Sequence, residues 1–283
     1  MGLRLQPVAP AQGWRWLRQG LQLWLQRPLS FVGLFVFFLF TVLLLMVLVP
    51  YLGGPLGMAL LPMLSLGFMI ASKSALAGGP VHIGQLAEGL RHPVRSQRRA
   101  QWVLCAAYAL GTILVISLAD WVDGGTFEAL QREMAAAGAD GKPSPALDAV
   151  LADPRLVQGM LVRLGLAGLL SVPFWHAPAL VHWGGQGALQ ALFSSTLALW
   201  RTRGAFALYL LGWAGAMVVT GVVFSLVAAI TGANQLLGLM TLPIGLAFSA
   251  AFYTSLWFSF DDTFRASGSA SDSAADSPAL PPA

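Results

Sequence analysis

Histidine is the side chain in this sequence with the widest chemistry, because an imidazole can ligate a metal or exchange a proton near neutral pH. His176 lies in the stretch SVPFWHAP, between Pro173 and Pro178, about five residues from the end of a long apolar segment. An ionisable residue inside a segment that crosses a membrane is a candidate ligand or proton contact. A neutral histidine with one hydrogen-bond partner can equally be structural, so both interpretations of His176 stay open.

The other histidines, His82, His92 and His182, could act together only if the fold brought them to one place. Their spacings are irregular and no carboxylate stands at a fixed distance from them, so the sequence predicts no metal site. Cys105 is the single cysteine of the chain, which excludes an intramolecular disulfide and a site of several cysteines. We therefore predict neither a metal nor a cofactor.

The charged residues beside the apolar segments can be explained without a catalytic or binding role. Lys73 stands near the end of one segment, from which its stem can carry the ammonium group to the interface. Asp261 and Asp262 directly follow the last segment, where they either pair with Arg201 or Arg203 or remain solvated. Pairing is the favoured interpretation, because acids at this place oppose the usual excess of positive charge inside.

The elements that must position these residues are long apolar helices. Hydrophobic residues make up 57% of the chain and charged residues 10%, whereas soluble domains carry about 25% charged residues. A helix needs about 20 apolar residues to cross a bilayer. Six segments qualify: 29–49, 55–76, 101–119, 159–181, 205–230 and 236–259. The sequence therefore predicts an all-α fold, a polytopic bundle of six membrane spans.

Length and composition predict the structure at both ends of the chain. The first apolar segment is about 21 residues long, too long for the apolar part of a signal peptide, so we expect a retained first span. Residues 266–283 are mainly Ser, Ala, Pro and Asp, which cannot bury enough apolar surface to fold. We predict an integral membrane domain over 1–265 and a disordered tail over 266–283.

The distribution of positive charge predicts the orientation. With the N-terminus inside, the inner segments hold twelve of the 16 Lys and Arg, and the outer segments hold Arg132, Lys142 and Arg155. This bias predicts that both termini are cytoplasmic. Because the charges are scattered between apolar segments, they reflect topology and do not indicate nucleic-acid binding.

Residues 120–158 form a long acidic outer loop. We expect two short helices in it, one capped by Thr126 and ending near Gly138, the other capped by Ser144 with Pro145 at its first position. The loop is either a solvated connection between spans or a binding surface.

Three similar stretches precede the odd-numbered spans: WRWLRQGLQLWLQRPLSF, HIGQLAEGLRHP and QGALQALFSSTLALWRTRG. Their apolar residues recur at helical spacing, as in amphipathic helices that lie along a membrane interface. Each even-numbered span carries a proline in a similar setting, namely Pro62, Pro173 and Pro243. The sequence thus predicts three parallel repeats, here called units one, two and three, each an amphipathic helix followed by a two-span hairpin.

Parallel repeats would surround a pseudo-threefold axis along the membrane normal. A proline inside a helix leaves a backbone carbonyl without its partner, which is costly against lipid. We therefore expect Pro62, Pro173, Pro178 and Pro243 to face the axis, with odd spans outside and His176 bordering a central cavity. A polar cavity would favour His176 as a ligand or proton contact, and one filled by Phe and Leu would make it a packing residue.

Three stretches carry a family resemblance: GWRWLRQGLQLWLQRPLSFVGLF, PFWHAPALVHWGGQGALQALFSSTLALWRTRGAF and FYTSLWFSFDDTF. They resemble uncharacterised six-span inner-membrane proteins of proteobacteria, over all six spans but not the outer loop or the tail. A more distant resemblance is to the membrane domain fused to some glycerophosphodiester phosphodiesterases. The resemblance implies a bacterial inner membrane but no activity, and Thr202 stands where the family often has Asn.

These features favour a structural or regulatory membrane component, with membrane lipids as the expected partners. The alternative is a transporter or lipid-handling protein with a cavity lined by the even-numbered spans. A membrane enzyme acting on lipid headgroups is the weakest hypothesis, because the outer side offers acids without histidine and the inner side offers arginine and histidine with few acids.

Overall fold

The computed structural model describes residues 3–49, 52–140, 145–232 and 234–266. The helices of the first half are α1 (Gln12–Gln26), α2 (Pro28–Leu48), α3 (Gly53–Ala59), α4 (Leu61–Leu76) and α5 (Arg95–Asp123), with 3-10 turns at Ile83–Ala87 and Gly89–Arg91. The helices of the second half are α6 (Thr126–Asp140), α7 (Pro145–Leu151), α8 (Pro154–Phe174), α9 (Ala177–Gly184), α10 (Ala188–Arg201), α11 (Arg203–Thr231) and α12 (Asn234–Thr263).

The prediction of six membrane spans in an all-α bundle is confirmed. Among the described residues, six helical stretches are long and apolar enough to cross a membrane. Span one is α2, span two is α3 with α4, span three is α5, span four is α8 with α9, span five is α11 and span six is α12. The two outer-loop helices are present as α6 and α7. The predicted cap Ser144 and the predicted tail beyond residue 266 lie outside the described residues.

A short strand pair joins the two ends of the membrane bundle, a feature that the sequence interpretation did not include. Strand β1 (Leu3–Leu5) pairs in antiparallel fashion with β2 (Phe264–Ala266), Leu3 lying opposite Ala266. The backbone N–H of Gln6 continues the pairing to the carbonyl of Thr263 at 2.9 Å. Both ends of the described chain therefore lie on the same side of the bundle. The side that carries these ends is named the inner side and the opposite side the outer side, by position relative to the chain ends alone.

The amphipathic segments pack in a cyclic order. Helix α1 of unit one packs against α11 and α12 of unit three. The 3-10 turns of unit two pack against α4 of unit one, and α10 of unit three packs against α8 and α9 of unit two. Each segment thus contacts the hairpin of the preceding unit, which is the arrangement expected of three repeats around an axis.

The amphipathic segment of unit two is not an α-helix, so that part of the prediction is wrong. Its short sequence contains two glycines, which disfavour a helix, and it packs very closely on α4. A Cβ placed at Gly89 would lie 2.6 Å from a methyl group of Leu66, and one at Gly67 would lie 2.8 Å from the Cα of Leu86. Glycine at these two positions lets the segment lie this close to α4, and the segment forms tight 3-10 turns there.

Prolines begin the inner halves of spans two and four. Span two is interrupted at Leu60 and span four at Trp175 and His176. Pro62 and Pro178 then stand in the first turns of α4 and α9, where a missing N–H costs nothing. Both of these prolines are buried.

The other two prolines lie inside helices. Pro173 in α8 is half-buried, whereas Pro243 in α12 is exposed. The prediction that Pro243 faces the axis is wrong, because the outer half of α12 extends beyond the packed part of the bundle. Leu242 is 69% exposed, and α12 becomes buried only from Ala250 onward.

Candidate functional site: the helix break at His176

His176 stands at the junction between α8 and α9, where regular helical hydrogen bonding is interrupted. In an unbroken helix its backbone N–H would bond to the carbonyl of Val172. The Ser195 hydroxyl of α10 takes that place: it accepts from the His176 N–H at 3.0 Å and donates to the Val172 carbonyl at 3.2 Å. His176 and Ser195 are both fully buried. One side-chain hydroxyl therefore satisfies both backbone groups of the break.

The imidazole of His176 is held by span six. Its Nε2 lies 3.2 Å from the Ser259 hydroxyl, which donates to the Leu256 carbonyl at 2.8 Å. We assign the imidazole proton to Nε2, because the Ser259 hydroxyl already donates to Leu256 and can then only accept from the imidazole. Nδ1 has no partner among the described residues.

Aromatic rings fill the space around this imidazole, at the position where the sequence predicted a cavity. The rings of Phe206, Phe260 and Phe264 have centroids 5.7, 5.8 and 5.5 Å from that of His176. These rings come from spans five and six and from β2. Water and solutes are thus kept from the imidazole by packed hydrocarbon.

A row of hydroxyls on span six extends this packing. Ser255, Ser259 and Thr263 recur every four residues and are fully buried. Ser255 bonds to the Tyr209 hydroxyl at 2.6 Å, and a Cβ placed at Gly20 would lie 2.2 Å from the Ser255 Cβ. The four-residue spacing was a readable signal that sequence reasoning missed: small polar residues on one face let helices approach closely.

Asp262 fastens α1 to the inner end of span six. Its Oδ2 accepts from the Trp16 indole N–H at 2.7 Å and from the Gln12 side-chain amide at 2.5 Å. The predicted pairing of Asp262 with Arg201 or Arg203 is therefore wrong. The physical reason is that Trp16 is fully buried and its indole N–H needs an acceptor, which the carboxylate supplies.

A pocket of about 150 Å³ opens between spans two, three, four and six. Pro62 and Ser65 line it from span two, Tyr108 from span three and Ser171 from span four, with Tyr253 from span six. The even-numbered spans thus do share a cavity, but it is small and mostly apolar. Of the four prolines expected there, Pro62 alone is in its lining.

The outer ends of spans three and four are joined by a cluster of charges. Arg163 bonds to Asp120 and, at 3.0 Å, to the buried Asp123. Its guanidinium also lies 4.1 Å from the ring centre of Phe127 in α6. Sequence reasoning missed this cluster, although Asp120 and Asp123 stand three residues apart on one face of α5, within reach of Arg163 on α8.

On the inner side the fold brings His92 and His182 together, with ring centroids 5.0 Å apart. Lys73 lies 5.2 and 5.3 Å from the ring centres of Trp183 and Trp257. His82 has a different role, since its backbone N–H donates to the side-chain oxygen of Gln85 at 3.0 Å. Among the residues that the structure describes, no three His, Cys, Asp or Glu side chains form a group that could hold a metal.

The chain is similar to a probable inner membrane protein of Burkholderia thailandensis. The two are 31% identical over 266 residues, which cover 93% of this chain and 94% of the relative. No protein-family profile matches the chain, and no solved structure matches it.

Proposed function

Because the chain belongs to the same family of multi-pass inner-membrane proteins as its Burkholderia relative, we propose that it is a structural component of that membrane and not a carrier. The observation that supports this is the closed packing at His176. A transport path needs polar groups that water or solute can reach. Here the one ionisable side chain at the break of span four is fully buried and surrounded by three phenylalanine rings.

His176 is, in this proposal, a structural residue. Its backbone N–H and its Nε2 join span four to α10 and to span six. Spans four, five and six and α10 all meet there, so the residue fixes how the hairpins of units two and three pack together. Membrane lipids are the proposed partners of the exposed apolar faces of the spans.

The proposed orientation has both termini in the cytoplasm. The pairing of β1 with β2 places the two ends on one side. The excess of arginine and lysine on that same side favours the cytoplasm. The acidic helices α6 and α7 are then on the outer side.

Cysteine accessibility tests function and orientation together. In a Cys105→Ser background, Ser259→Cys replaces a buried hydroxyl with a thiol of similar size, beside His176. We expect no reaction with a membrane-impermeant methanethiosulfonate from either side. Reaction at a rate comparable with exposed controls would reveal a water-filled path and overturn the proposal.

Two exposed positions serve as those controls. Ser96→Cys lies in the first turn of α5, and Ala136→Cys lies in α6. Ser96→Cys should react in inside-out vesicles and Ala136→Cys in intact spheroplasts. The reverse pattern would overturn the orientation without affecting the result at Ser259.

A lipid-handling role is the second candidate, favoured by the lateral pocket of about 150 Å³. A cavity of this size accepts a group such as benzene, so it suits part of an acyl chain. Ser65→Trp would fill it, and Val47→Trp, on the exposed face of span one, is a matched control. Loss of binding of a fluorescent fatty acid by Ser65→Trp alone would support this role, and equal binding by both variants would exclude the pocket.

A further inference from the structure

A groove of about 620 Å³ lies between the first turns of α5 and the start of α10. Three polar and three apolar residues line it: Arg95, Ser96, Arg99, Ala100, Val103 and Ala188. The groove therefore has a cationic part and a hydrocarbon part, which are continuous with each other.

Among the described residues, the cationic part has no anionic partner. Arg95 and Arg99 are four residues apart, on one face of α5. In the described part of the chain neither arginine forms an ion pair or a side-chain hydrogen bond. Helices α5 and α10 both begin at the groove, with Arg95 and Ala188 as their first residues, so the positive ends of two helix dipoles add to the charge.

The apolar part continues onto exposed apolar surface of α5 and α10. Val103 is 47% exposed and its neighbour Trp102 is 55% exposed. On α10, Leu189 is 84% exposed and Phe193 is 69% exposed. An anion bound at the arginines would thus have hydrocarbon directly beside it, along both helices.

We propose that this groove binds the headgroup of an anionic phospholipid, with the phosphate at Arg95 and Arg99 and an acyl chain along Val103 and α10. Basic clefts between helices at the cytoplasmic side of a membrane suit such headgroups. The apolar half of the groove favours a lipid over a free phosphate ion. The inference goes beyond the proposed structural role, which requires no specific lipid.

Native mass spectrometry of the purified full-length protein in detergent, titrated with dioleoyl phosphatidylglycerol, tests the proposal. Dioleoyl phosphatidylcholine is the comparison lipid. Binding of the anionic lipid should saturate and be tighter than that of the zwitterionic lipid. Each arginine near a lipid surface contributes about a fivefold change in affinity, so Arg95→Gln with Arg99→Gln should weaken binding about 25-fold.

The matched control is Arg91→Gln with Arg98→Gln. It removes the same charge from the same segment, at exposed residues that do not line the groove. We expect it to bind the anionic lipid as the unmodified protein does. An equal loss in both double variants would show a general charge effect and overturn the proposal.

A second pair of variants keeps the charge and changes the shape. Ala188→Phe should fill the groove and abolish the preference for the anionic lipid, whereas Leu189→Phe, on the lipid-facing side, should retain it. Inorganic phosphate at millimolar concentration should not displace the lipid, and displacement would indicate a free-anion site and overturn the proposal. If the lipid-binding proposal failed, the result expected for the cysteine at position 259 would not change. The lipid-binding proposal and the proposed structural role can therefore be tested independently.

Discussion

Ser195 places its hydroxyl 3.0 Å from the backbone N–H of His176, inside the break of span four. A side chain inserted into a helix in this way holds a bend open, because it supplies the hydrogen bonds that the bend removes. The hydroxyl comes from α10, the amphipathic helix of unit three, and the break belongs to unit two. The contact therefore connects successive repeats at a fully buried point.

Ser195→Ala should destabilise the protein strongly for a single hydroxyl. It leaves the His176 N–H without a partner in a dry interior, at a cost of about 1–3 kcal/mol. The Val172 carbonyl keeps only the long hydrogen bond from the Trp175 N–H, at 3.5 Å. We expect a clear fall in the apparent unfolding temperature, measured in detergent with a thiol-reactive or tryptophan fluorescence assay.

The neighbouring Thr196→Ala is the control for that change. The Thr196 hydroxyl is exposed and bonds within its own helix to the Leu192 carbonyl at 2.9 Å. Its removal should shift the unfolding temperature little. Equal shifts for the two variants would show that the bridged break is not an important source of stability.

The spans could be predicted from the sequence because each depends on local hydrophobicity over about 20 residues. The role of Ser195 could not, since the stretch LFSSTLALW offers Ser194, Ser195 and Thr196 alike, and only the packing of α10 on span four selects one. The strand pair could not be predicted from the sequence either. It joins two segments of three residues from opposite ends of the chain, too short for a local pattern.

Gly20→Ala should disrupt the crossing of α1 over span six. A Cβ at this position would lie 2.2 Å from the Ser255 Cβ, so the helices must separate. Overpacking of this kind costs about 1–3 kcal/mol. Lower yield of folded protein and a lower unfolding temperature are the expected results, measured by fluorescence-detected size exclusion and thermal challenge.

Gly33→Ala provides the comparison, because no atom of another helix lies within 4 Å of a Cβ built there. Alanine is favoured over glycine inside a helix by about 0.5–1 kcal/mol. This variant should be as stable as the original protein or slightly more so. If Gly20→Ala behaved in the same way, the close contact between α1 and span six would be refuted.

Arg163→Gln should loosen the outer ends of spans three and four. It leaves the carboxylate of Asp123, whose side chain is 1% exposed, without its charge partner. Breaking one side of a buried pair costs about 3–5 kcal/mol. We expect faster proteolysis within residues 124–153 as well as a lower unfolding temperature.

Arg132→Gln is the matched control, because it removes an exposed ion pair in place of a buried one. Arg132 pairs with Glu128 at 3.7 Å, and both side chains are more than 70% exposed. Such pairs contribute about 0–1 kcal/mol, so proteolysis and unfolding should change little. A similar response from both arginine variants would mean that the Arg163 cluster is no more than a surface contact.

Asp262→Ala should release α1 from the bundle. The Trp16 indole N–H loses its acceptor, and a buried donor without a partner costs about 1–3 kcal/mol. Helix α1 carries the exposed residues Arg15 and Arg18, which become trypsin sites once the helix detaches. Faster tryptic removal of the N-terminal segment is the expected result, followed by gel electrophoresis and mass spectrometry.

Asp262→Asn separates the hydrogen bond from the charge. Its side-chain oxygen can still accept from Trp16, so it should restore most of the resistance to trypsin that Asp262→Ala loses. If both variants were cleaved equally fast, the carboxylate would act through its charge and the acceptor role would be wrong. If neither were cleaved faster than the original protein, α1 would be held by its apolar face alone, through Trp16, Leu17 and Leu23.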